Sequence, residues 1–328
     1  MEMNKIEKLE QDVPFKVDVY KGLTSSPKEI SSKYFYDDEG SLIFQEITRM
    51  KEYYPTRLEM DVFTRNKSDI VKRIENDRID VVELGAGDGH KTKVLLEEMS
   101  KQKKRTKFFP IDISEKAIRE LLKNIQSGPG LEVLPVVGDF FHGLGKVVEE
   151  SLNQKLVLFL GSNIGNFGPG ERISFLKGLK DSLNPGDMIL IGLDLKKDIQ
   201  KLMDAYSDPH GVTERFNLNL LKRINRELGG NFKLNQFYHH AFYNPRKGAM
   251  ESSLLSLKEQ EVYIEEYGTS FHFDEFEPIL LEHSYKFTLS EIQNMAHLSG
   301  LDLVENFFDS SKGYVNSLWK VKAESHLH

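Results

Sequence analysis

The stretch Val82-Glu83-Leu84-Gly85-Ala86-Gly87-Asp88-Gly89-His90-Lys91 decides the fold of this chain. It joins an apolar run at residues 79–84 to a segment with helical spacing at residues 91–103. Glycine lets the backbone turn tightly and lets a ligand approach without a Cβ in the way. A glycine loop between a strand and a helix is the context that nucleotide-type ligands require. The stretch therefore predicts a strand, a ligand-binding turn and a helix in direct succession.

The spacing of these glycines indicates which ligand the loop binds. A dinucleotide fingerprint needs glycine at the sixth position counted from Gly85, and that position is His90. The pattern here is acid-x-Gly-x-Gly-x-Gly, as in loops that bind S-adenosyl-L-methionine. We therefore expect Gly85 and Gly87 to contact that cofactor. The simpler interpretation is a tight strand-to-helix turn that binds nothing.

Short apolar runs alternate with helical stretches downstream of this loop. The runs occupy residues 79–84, 108–113, 131–137, 156–160 and 188–193, and the helical stretches occupy residues 91–103, 114–125, 143–152, 170–183 and 288–299. Such alternation predicts a parallel sheet covered on both faces. Two last runs, 303–308 and 316–322, flank a hairpin turn at 309–313. The predicted fold is α/β, a class I methyltransferase (Rossmann-like) core with a C-terminal β-hairpin.

Two other parts of the chain do not follow this alternation. Residues 13–60 are rich in aromatic side chains, and residues 196–285 are more polar, with alternating stretches such as 261–266 that resemble antiparallel strands. We predict a methyltransferase core formed by residues 61–196 and 286–328. Residues 1–60 and 197–285 would form a second α+β lobe that binds the substrate.

Composition excludes several classes of protein. The formal net charge of −7 disfavours a nucleic-acid binder, because phosphate neutralisation needs a basic face. The chain has no cysteine and its ten histidines are scattered without His-x-x-x-His spacing, so we expect no metal. No apolar run has the length of a membrane span, and residues 1–12 lack the hydrophobic region of a signal peptide. These observations predict a cytoplasmic, monomeric protein that acts on a small molecule.

Acidic residues end or follow the second and third apolar runs. Asp112 ends the second, where a carboxylate can accept hydrogen bonds from ribose hydroxyls. Asp139 follows the third, where methyltransferases contact the adenine amino group. Either aspartate could instead be a simple helix cap. The coincidence of both with the glycine loop favours a cofactor site.

The loop after the fourth run, Leu160-Gly161-Ser162-Asn163-Ile164-Gly165-Asn166-Phe167, contains two amide side chains. In a doubly wound sheet this edge faces the ligand crevice. Methyl transfer to an amine needs orientation more than acid–base chemistry, and an amide oxygen can hold an N–H without protonating the nitrogen. Asn163 and Asn166 are both candidates, although for Asn163 we favour a role in stabilising the turn.

Several motifs together resemble the histidine-specific Nα-methyltransferase family, and the resemblance extends over residues 15–322. The most specific are Lys33-Tyr34-Phe35-Tyr36-Asp37-Asp38 and Glu52-Tyr53-Tyr54-Pro55-Thr56-Arg57, joined by Asn225-Arg226-Glu227-Leu228-Gly229 and Glu282-His283-Ser284. The resemblance implies three methyl transfers to the α-amino group of L-histidine, giving the trimethylated betaine hercynine. This is the first step of ergothioneine synthesis.

The resemblance also implies roles for individual residues. Cofactor binding is implied for Gly85, Lys91, Asp112, Asp139 and Phe140. Contacts to the amino and carboxylate groups of the substrate are implied for Tyr36, Asn166 and Tyr206, of which Asn166 and Tyr36 are the catalytic candidates. Pocket walls are implied for Phe44 and Tyr53, and contacts to the two imidazole nitrogens for Glu282 and Ser284.

The chemistry of the last pair is independently reasonable. A neutral imidazole offers one donor and one acceptor, which a carboxylate beside a hydroxyl satisfies. From the sequence alone Glu282 is an ordinary surface acid, and Tyr34, Phe35 and Tyr54 are core aromatics. One departure from the family is Ser252-Ser253, where a bulkier side chain is expected. Alternatives are therefore a methyltransferase for another amino acid or amine, or a non-catalytic adenosylmethionine-binding protein.

Overall fold

A computed structural model describes residues 7–8 and 15–322, so the outer parts of the predicted domains (1–6, 9–14 and 323–328) lie outside the described residues. The described chain divides into two compact units. The core unit contains residues 7–8, 55–196 and 286–322, and the second unit contains residues 15–54 and 197–285. The two units are described separately below.

The helices and strands follow one another along the chain. The helices are α1 (Phe15–Thr24), α2 (Asp38–Arg49), α3 (Tyr54–Lys72), α4 (His90–Lys101), α5 (Glu115–Asn124), α6 (Phe140–Glu150), α7 (Pro169–Asp181), α8 (Ile199–Tyr206), α9 (Val212–Leu228) and α10 (Leu289–Leu298). The strands are β1 (Glu7–Lys8), β2 (Lys28–Glu29), β3 (Arg78–Leu84), β4 (Arg105–Asp112), β5 (Leu131–Val133), β6 (Val136–Val137), β7 (Gln154–Phe159), β8 (Met188–Asp194), β9 (Phe237–Asn244), β10 (Ala249–Ser256), β11 (Gln260–Ile264), β12 (Thr269–Phe273), β13 (Pro278–Tyr285), β14 (Leu301–Phe308) and β15 (Tyr314–Val321). Short 3₁₀ turns include Ser32–Phe35 and Asn163–Asn166. No described helix combines the length and the apolar character that a bilayer crossing needs.

One large sheet organises the core unit. Its strand order is β1-β6-β4-β3-β7-β8-β15-β14, with β5 beside β4. The pairs from β1 to β8 are parallel, and β15 runs antiparallel to both β8 and β14. The predicted parallel sheet with a closing C-terminal hairpin is confirmed. This is the class I methyltransferase arrangement.

The apolar runs form strands because both faces of this sheet are covered. Every residue of β8 is buried, and so is every residue of β3 after Arg78. The covering helices begin at polar caps, since the Ser114 hydroxyl accepts the Ala117 N–H and the Thr288 hydroxyl accepts the Glu291 N–H. Because the strands from β1 to β8 are parallel, their carboxyl ends lie at one edge of the sheet, where the glycine loop begins.

The run at residues 131–137 is not the single strand that its apolar character predicts. It forms two short strands, β5 and β6, on either side of Leu134 and Pro135. Proline has no backbone N–H, so it cannot donate a ladder hydrogen bond. The prediction of one continuous strand there is wrong.

The second unit has a sheet of its own, in the order β2-β13-β10-β9, with a separate hairpin formed by β11 and β12. The alternating pattern at 261–266 predicts an antiparallel strand, and this is confirmed as far as Ile264, where the pairing of β11 with β12 ends. A common core of α1, α2, α9 and these strands includes Val19, Ile43, Leu220, Leu254 and Phe273.

Two described segments fall on the other side of the boundary predicted at residues 60 and 61. Helix α3 continues without a break from Tyr54 to Lys72, and the core unit begins within it at Pro55. Strand β1 pairs with β6 of the large sheet. The first sixty residues are therefore not confined to the second unit.

The register of β13 against β10 shifts by one residue. Leu254 lies opposite Ile279, but Ser252 lies opposite Glu282, so β13 has one extra residue between the two pairs. Opposite residues in an antiparallel pair share a face of the sheet. This β-bulge therefore places Glu282 on the same face as Ile279.

Candidate functional site

The glycine loop adopts the backbone conformation that its sequence predicts. Gly85, Gly87 and Gly89 have φ angles of 75°, 54° and 72°, a region that side chains with a Cβ rarely adopt. The Gly85 N–H donates to the Ile111 carbonyl oxygen at 2.8 Å, which joins the loop to the end of β4. The loop therefore lies at the carboxyl edge of the sheet, between two neighbouring strands.

The surroundings of the loop show which side is open. A Cβ placed on Gly85 would lie 3.6 Å from Phe140 Cζ and 3.6 Å from Asn163 Nδ2, and one placed on Gly87 would meet nothing within 4 Å. Phe140 is half-buried at the start of α6. Because these glycines have no Cβ, an open space remains beside the loop, bordered by the Phe140 ring and the Asn163 amide. These residues fit a nucleoside-type cofactor such as S-adenosyl-L-methionine.

Asp112 and Asp139 have different environments. Asp112 Oδ1 accepts the Ser114 N–H at 2.9 Å and Oδ2 accepts the Gly87 N–H at 3.1 Å, and burial raises the pKa of its carboxyl. Asp139 is exposed and caps α6, accepting the Phe141 and His142 N–H groups. Partial burial acts to raise the pKa of Asp139, but hydrogen bonds from His142 lower it below its usual range. Asp139 therefore caps α6 and Asp112 braces the glycine loop, and neither contact decides whether the residue also binds the cofactor.

The loop after β7 places its two asparagines in one 3₁₀ turn, Asn163–Asn166. Side chains three residues apart eclipse in such a turn, so Asn166 projects on the side of Asn163. The Asn163 side chain also lies 3.6 Å from a Cβ placed on Gly161, so it fills the space between Gly161 and Gly85. The Asn163 side chain thus packs between the two loops, and Asn166 lies half-buried at the far end of the turn.

A buried carboxylate at this edge, Glu59, is not among the residues that the sequence predicts for the site. Glu59, on α3, has no exposed surface, and both of its carboxylate oxygens lie 3.0 Å from the Gly161 nitrogen. The Lys91 ammonium pairs with it. No local signal could have found Glu59, because it lies on a helix of ordinary amphipathic pattern well before the glycine loop.

The acid of the glycine motif is also buried. Glu83 is 2% exposed at the end of β3, and burial raises the pKa of its carboxyl to about 8, although Thr92 and Lys91 act in the opposite direction. Glu83 is therefore mostly neutral at neutral pH.

Within residues 7–8 and 15–322, no three His, Asp or Glu side chains are grouped so that they could hold a metal ion.

In the second unit, Tyr36, Phe44 and Tyr53 form a row of ring contacts, and Phe216 of α9 packs against the first two. The Tyr36 and Phe44 rings lie 5.4 Å apart, Phe44 and Tyr53 lie 6.1 Å apart, and Phe216 lies 5.6 Å from Tyr36 and 5.7 Å from Phe44. Tyr36, Phe44 and Tyr53 are half-buried. Their neighbours Tyr34, Phe35 and Tyr54 are buried, which confirms them as core residues.

The substrate candidates of β13 lie beside Tyr206. The Tyr206 hydroxyl donates to Ser284 Oγ at 2.7 Å, and His239 Nε2 lies 2.9 Å from the Tyr206 carbonyl oxygen. Glu282 is half-buried in β13, not part of an exposed acidic surface. Its strand neighbour is Ser252, which is 1% exposed. The second unit thus brings together a carboxylate and two serine hydroxyls on one sheet face, with the Tyr206 hydroxyl of α8 bonded to one of them.

The motif carboxylate Asp37 has a structural role. Its Oδ1 accepts the Gly40 N–H at 2.7 Å and the Asn219 amide at 2.8 Å, and its Oδ2 pairs with Arg226 at 2.6 Å. Partial burial acts to raise the pKa of Asp37, but the Arg226 hydrogen bond lowers it. Two of the family motifs therefore meet here, because Arg226 belongs to the Asn-Arg-Glu-Leu-Gly segment.

The fold and the cofactor edge together define an S-adenosylmethionine-dependent methyltransferase. A parallel sheet with a closing hairpin carries a glycine loop of adenosylmethionine spacing, and acidic residues follow the next strands. The model of one family, described as histidine-specific methyltransferase, SAM-dependent, matches residues 15–321. This chain belongs to that family.

Similar proteins of known name support the same assignment. The chain is 40% identical over 271 residues to histidine N-alpha-methyltransferase of Mycolicibacterium smegmatis, with 82% of this chain and 83% of that one covered. It is 36% identical over 302 residues to histidine N-alpha-methyltransferase of Mycobacterium tuberculosis, with 92% and 93% covered. It is also 31% identical over 199 residues to a 4-dimethylallyltryptophan N-methyltransferase of Claviceps purpurea, with 58% of each chain covered.

Proposed function

We propose that this methyltransferase acts on the α-amino group of L-histidine and transfers three methyl groups in succession, giving Nα,Nα,Nα-trimethylhistidine (hercynine). The product is the first intermediate of ergothioneine synthesis. The observation that carries the proposal is the pairing of Glu282 and Ser284 on one face of β13, with Tyr206 bonded to Ser284. Family membership and the two histidine N-alpha-methyltransferase relatives support it.

The proposed recognition of histidine rests on hydrogen-bond complementarity. The Glu282 carboxylate accepts the imidazole N–H, and the Ser284 hydroxyl donates to the other ring nitrogen. A site built for such a side chain rejects analogues that lack it, since its own polar groups would then be left unpaired. The Tyr36 hydroxyl would hold the carboxylate of the amino acid without placing a strong cation beside the sulfonium. The Tyr206 hydroxyl gives its proton to Ser284, so its oxygen would accept an N–H of the α-amino group.

Orientation of the amine is the main catalytic requirement. Asn166 Oδ1 accepts an amine N–H, which leaves the nitrogen lone pair to attack in line. When bound, S-adenosyl-L-methionine supplies a sulfonium-activated methyl group, and it leaves as S-adenosyl-L-homocysteine because the S–C bond pair returns to sulfur. Each transfer forms one N–C bond, and the nitrogen gives up a proton before every attack, including the first. We expect solvent or a tyrosine hydroxyl to receive that proton.

The remaining site residues follow from the same chemistry. The faces of Phe44 and Tyr53 stabilise the growing ammonium group by cation–π attraction. In the core unit, Gly85, Gly87, Lys91, Asp112, Asp139 and Phe140 would contact the cofactor. The sulfonium needs no Lewis acid, so treatment with EDTA should leave turnover unchanged. We also expect a monomer.

A second candidate substrate is a different amino acid with a larger side chain. Ser252 is small and buried opposite Glu282, which leaves more room than the bulkier residue of the family pattern. One relative is named for an amino acid with such a larger side chain, 4-dimethylallyltryptophan. In this alternative the amino and carboxylate contacts stay the same and only the side-chain pocket differs.

Calorimetric titration with S-adenosyl-L-homocysteine present separates these substrates. L-Histidine, Nα,Nα-dimethylhistidine, tryptophan and histamine are titrated in turn, and mass spectrometry then counts the methyl groups added. Binding of the two histidines, exclusion of tryptophan and histamine, and a trimethylated product are expected. Preferential binding of tryptophan supports the second candidate, and cofactor binding without any amino acid contradicts both.

A further inference from the structure

Glu59 is a fully buried carboxylate at the cofactor edge that the proposed reaction does not use. Its side chain is fully buried, while that of Lys91, which pairs with it, is 23% exposed. Both carboxylate oxygens accept the Gly161 N–H. Removing a carboxylate from water is costly unless it is paired and hydrogen-bonded, and here it is both.

The backbone around Glu59 is shaped to hold it. Gly161 has a φ of 75°, which suits glycine. A Cβ on Gly192, in β8, would overlap Glu59 Oε1 and would lie 2.7 Å from the Tyr314 hydroxyl. The neighbouring strand therefore leaves a space that only glycine permits, and the carboxylate occupies it.

Glu59 connects the two loops that form the cofactor edge. Gly161 opens the turn that carries Asn163 and Asn166, and Lys91 lies in the first turn of α4 directly after the glycine loop. Strands β3 and β7, which lead into these loops, are neighbours in the sheet. One side chain from α3 thus fixes a backbone N–H of one loop and the ammonium group that follows the other.

Two opposite charges are paired at this point. Lys91 contributes one positive charge and Glu59 one negative charge, and the carboxyl of Glu83 is largely neutral below pH 8. Removing the charge of Glu59 would leave the Lys91 ammonium uncompensated in a partly buried site. An uncompensated cation repels a cationic ligand, whereas it does not repel a neutral ligand of the same shape.

We propose that Glu59 is a positioning residue for the cofactor, and that its charge favours the cationic sulfonium of S-adenosyl-L-methionine over the neutral thioether of S-adenosyl-L-homocysteine. It acts by holding the Gly161 turn and by neutralising Lys91. The inference rests on the proposed function only in that the core unit binds adenosylmethionine. Histidine specificity is not part of it.

Calorimetry of both cofactor forms tests the inference without any turnover. Glu59→Gln keeps an oxygen acceptor for Gly161 and removes the charge, so the affinity for adenosylmethionine should fall on the order of tenfold more than that for adenosylhomocysteine. Glu97→Gln, an exposed acid of α4, is the matched control and should change neither affinity. A purely structural role would weaken both ligands equally, and that result, or no change at all, overturns the inference.

A second variant covers the case in which Glu59→Gln does not fold. Lys91→Met leaves the Glu59 charge uncompensated, so the ratio of the two affinities should shift toward adenosylmethionine even though both ligands bind more weakly. An unchanged ratio contradicts the inference. If the wild-type protein bound neither cofactor form, the proposed function itself would fail, and this outcome is distinct from wild-type binding with unaltered ratios in the variants.

Discussion

Tyr206 donates its phenolic hydrogen to Ser284 Oγ across 2.7 Å, and so links the end of α8 to β13. A serine hydroxyl that accepts one hydrogen bond still carries its own proton. Tyr206 therefore orients Ser284 as a donor. In the proposed function this donor meets the imidazole nitrogen that has no proton.

The first prediction concerns this hydroxyl. Ser284→Ala removes the donor and leaves the imidazole acceptor unpaired, which costs about 1–3 kcal/mol. The KM for L-histidine should rise roughly five- to 150-fold. Steady-state kinetics measure the change, and adenosylhomocysteine affinity, which depends on the core unit, should stay the same. An unaltered KM would remove Ser284 from the proposed site.

The second prediction concerns Asp37, which caps α2 and holds α9. Asp37→Ala removes the cap, the Asn219 contact and the Arg226 ion pair, at about 2 kcal/mol in total. The midpoint of thermal unfolding should fall by roughly 4–8 °C. Asp37→Asn keeps a capping oxygen and should lose less, while Asp38→Ala, an exposed neighbour in the first turn, should be nearly neutral. Equal losses for Asp37→Ala and Asp38→Ala would contradict the anchoring role.

The third prediction concerns the pH dependence of stability. Burial raises the pKa of Glu83 from 4.5 to about 8 in the folded protein, so between these values the folded state holds a proton that the unfolded state has released. The free energy of unfolding therefore decreases as pH rises through this window, by at most about 1.4 kcal/mol per pH unit.

Glu83→Gln should remove this contribution, because the amide does not titrate. Denaturant titrations of the wild type and the variant at several pH values between about 5 and 8 give the two slopes. The variant should show the shallower slope and should be relatively more stable at the alkaline end. Identical slopes would mean that Glu83 is already ionised in the folded state.

The fourth prediction compares two glycines. Gly89 has a φ of 72°, and an added Cβ would lie 2.8 Å from Ile125 Cδ1 and 2.9 Å from Leu121 Cγ. Gly89→Ala should destabilise the protein by about 3 kcal/mol. Gly145, inside α6, has open space around an added Cβ, so Gly145→Ala should be neutral or should stabilise by about 0.5–1 kcal/mol. Thermal unfolding measures both, and a stable Gly89→Ala protein would refute the argument.

The fold of the core unit can be predicted from the sequence alone, because its strands are buried on both faces. Continuous apolar runs such as residues 188–193 identify such strands directly, and the glycine loop marks where the first one ends. The failure at residues 131–137 has a local cause in Pro135. That residue was visible in the sequence, but the strand signal on either side of it concealed the break.

The second unit and the charged contacts were much less predictable. Asp37 and Arg226 stand far apart in the chain, as do Glu59 and Gly161, and no periodicity connects either pair. The family resemblance identified Glu282, which composition alone assigned to an acidic surface. Its position on a sheet face depends on a register shift that no local pattern encodes.

The extra residue in β13 has a consequence for how this family can vary. In an unbroken strand, Ile279 shares its face with Leu281 and His283. With the bulge, Glu282 and Ser284 take that face, and His283 lies opposite Glu251 on the other. The first half of β13 therefore packs in the hydrophobic core, and in the proposed function its second half contacts the substrate. Because Leu281 is the extra residue, a single-codon deletion there would remove the bulge and still leave Glu282 and Ser284 on the face of Ile279. A deletion or insertion between Glu282 and Ser284 would separate the two side chains onto opposite faces.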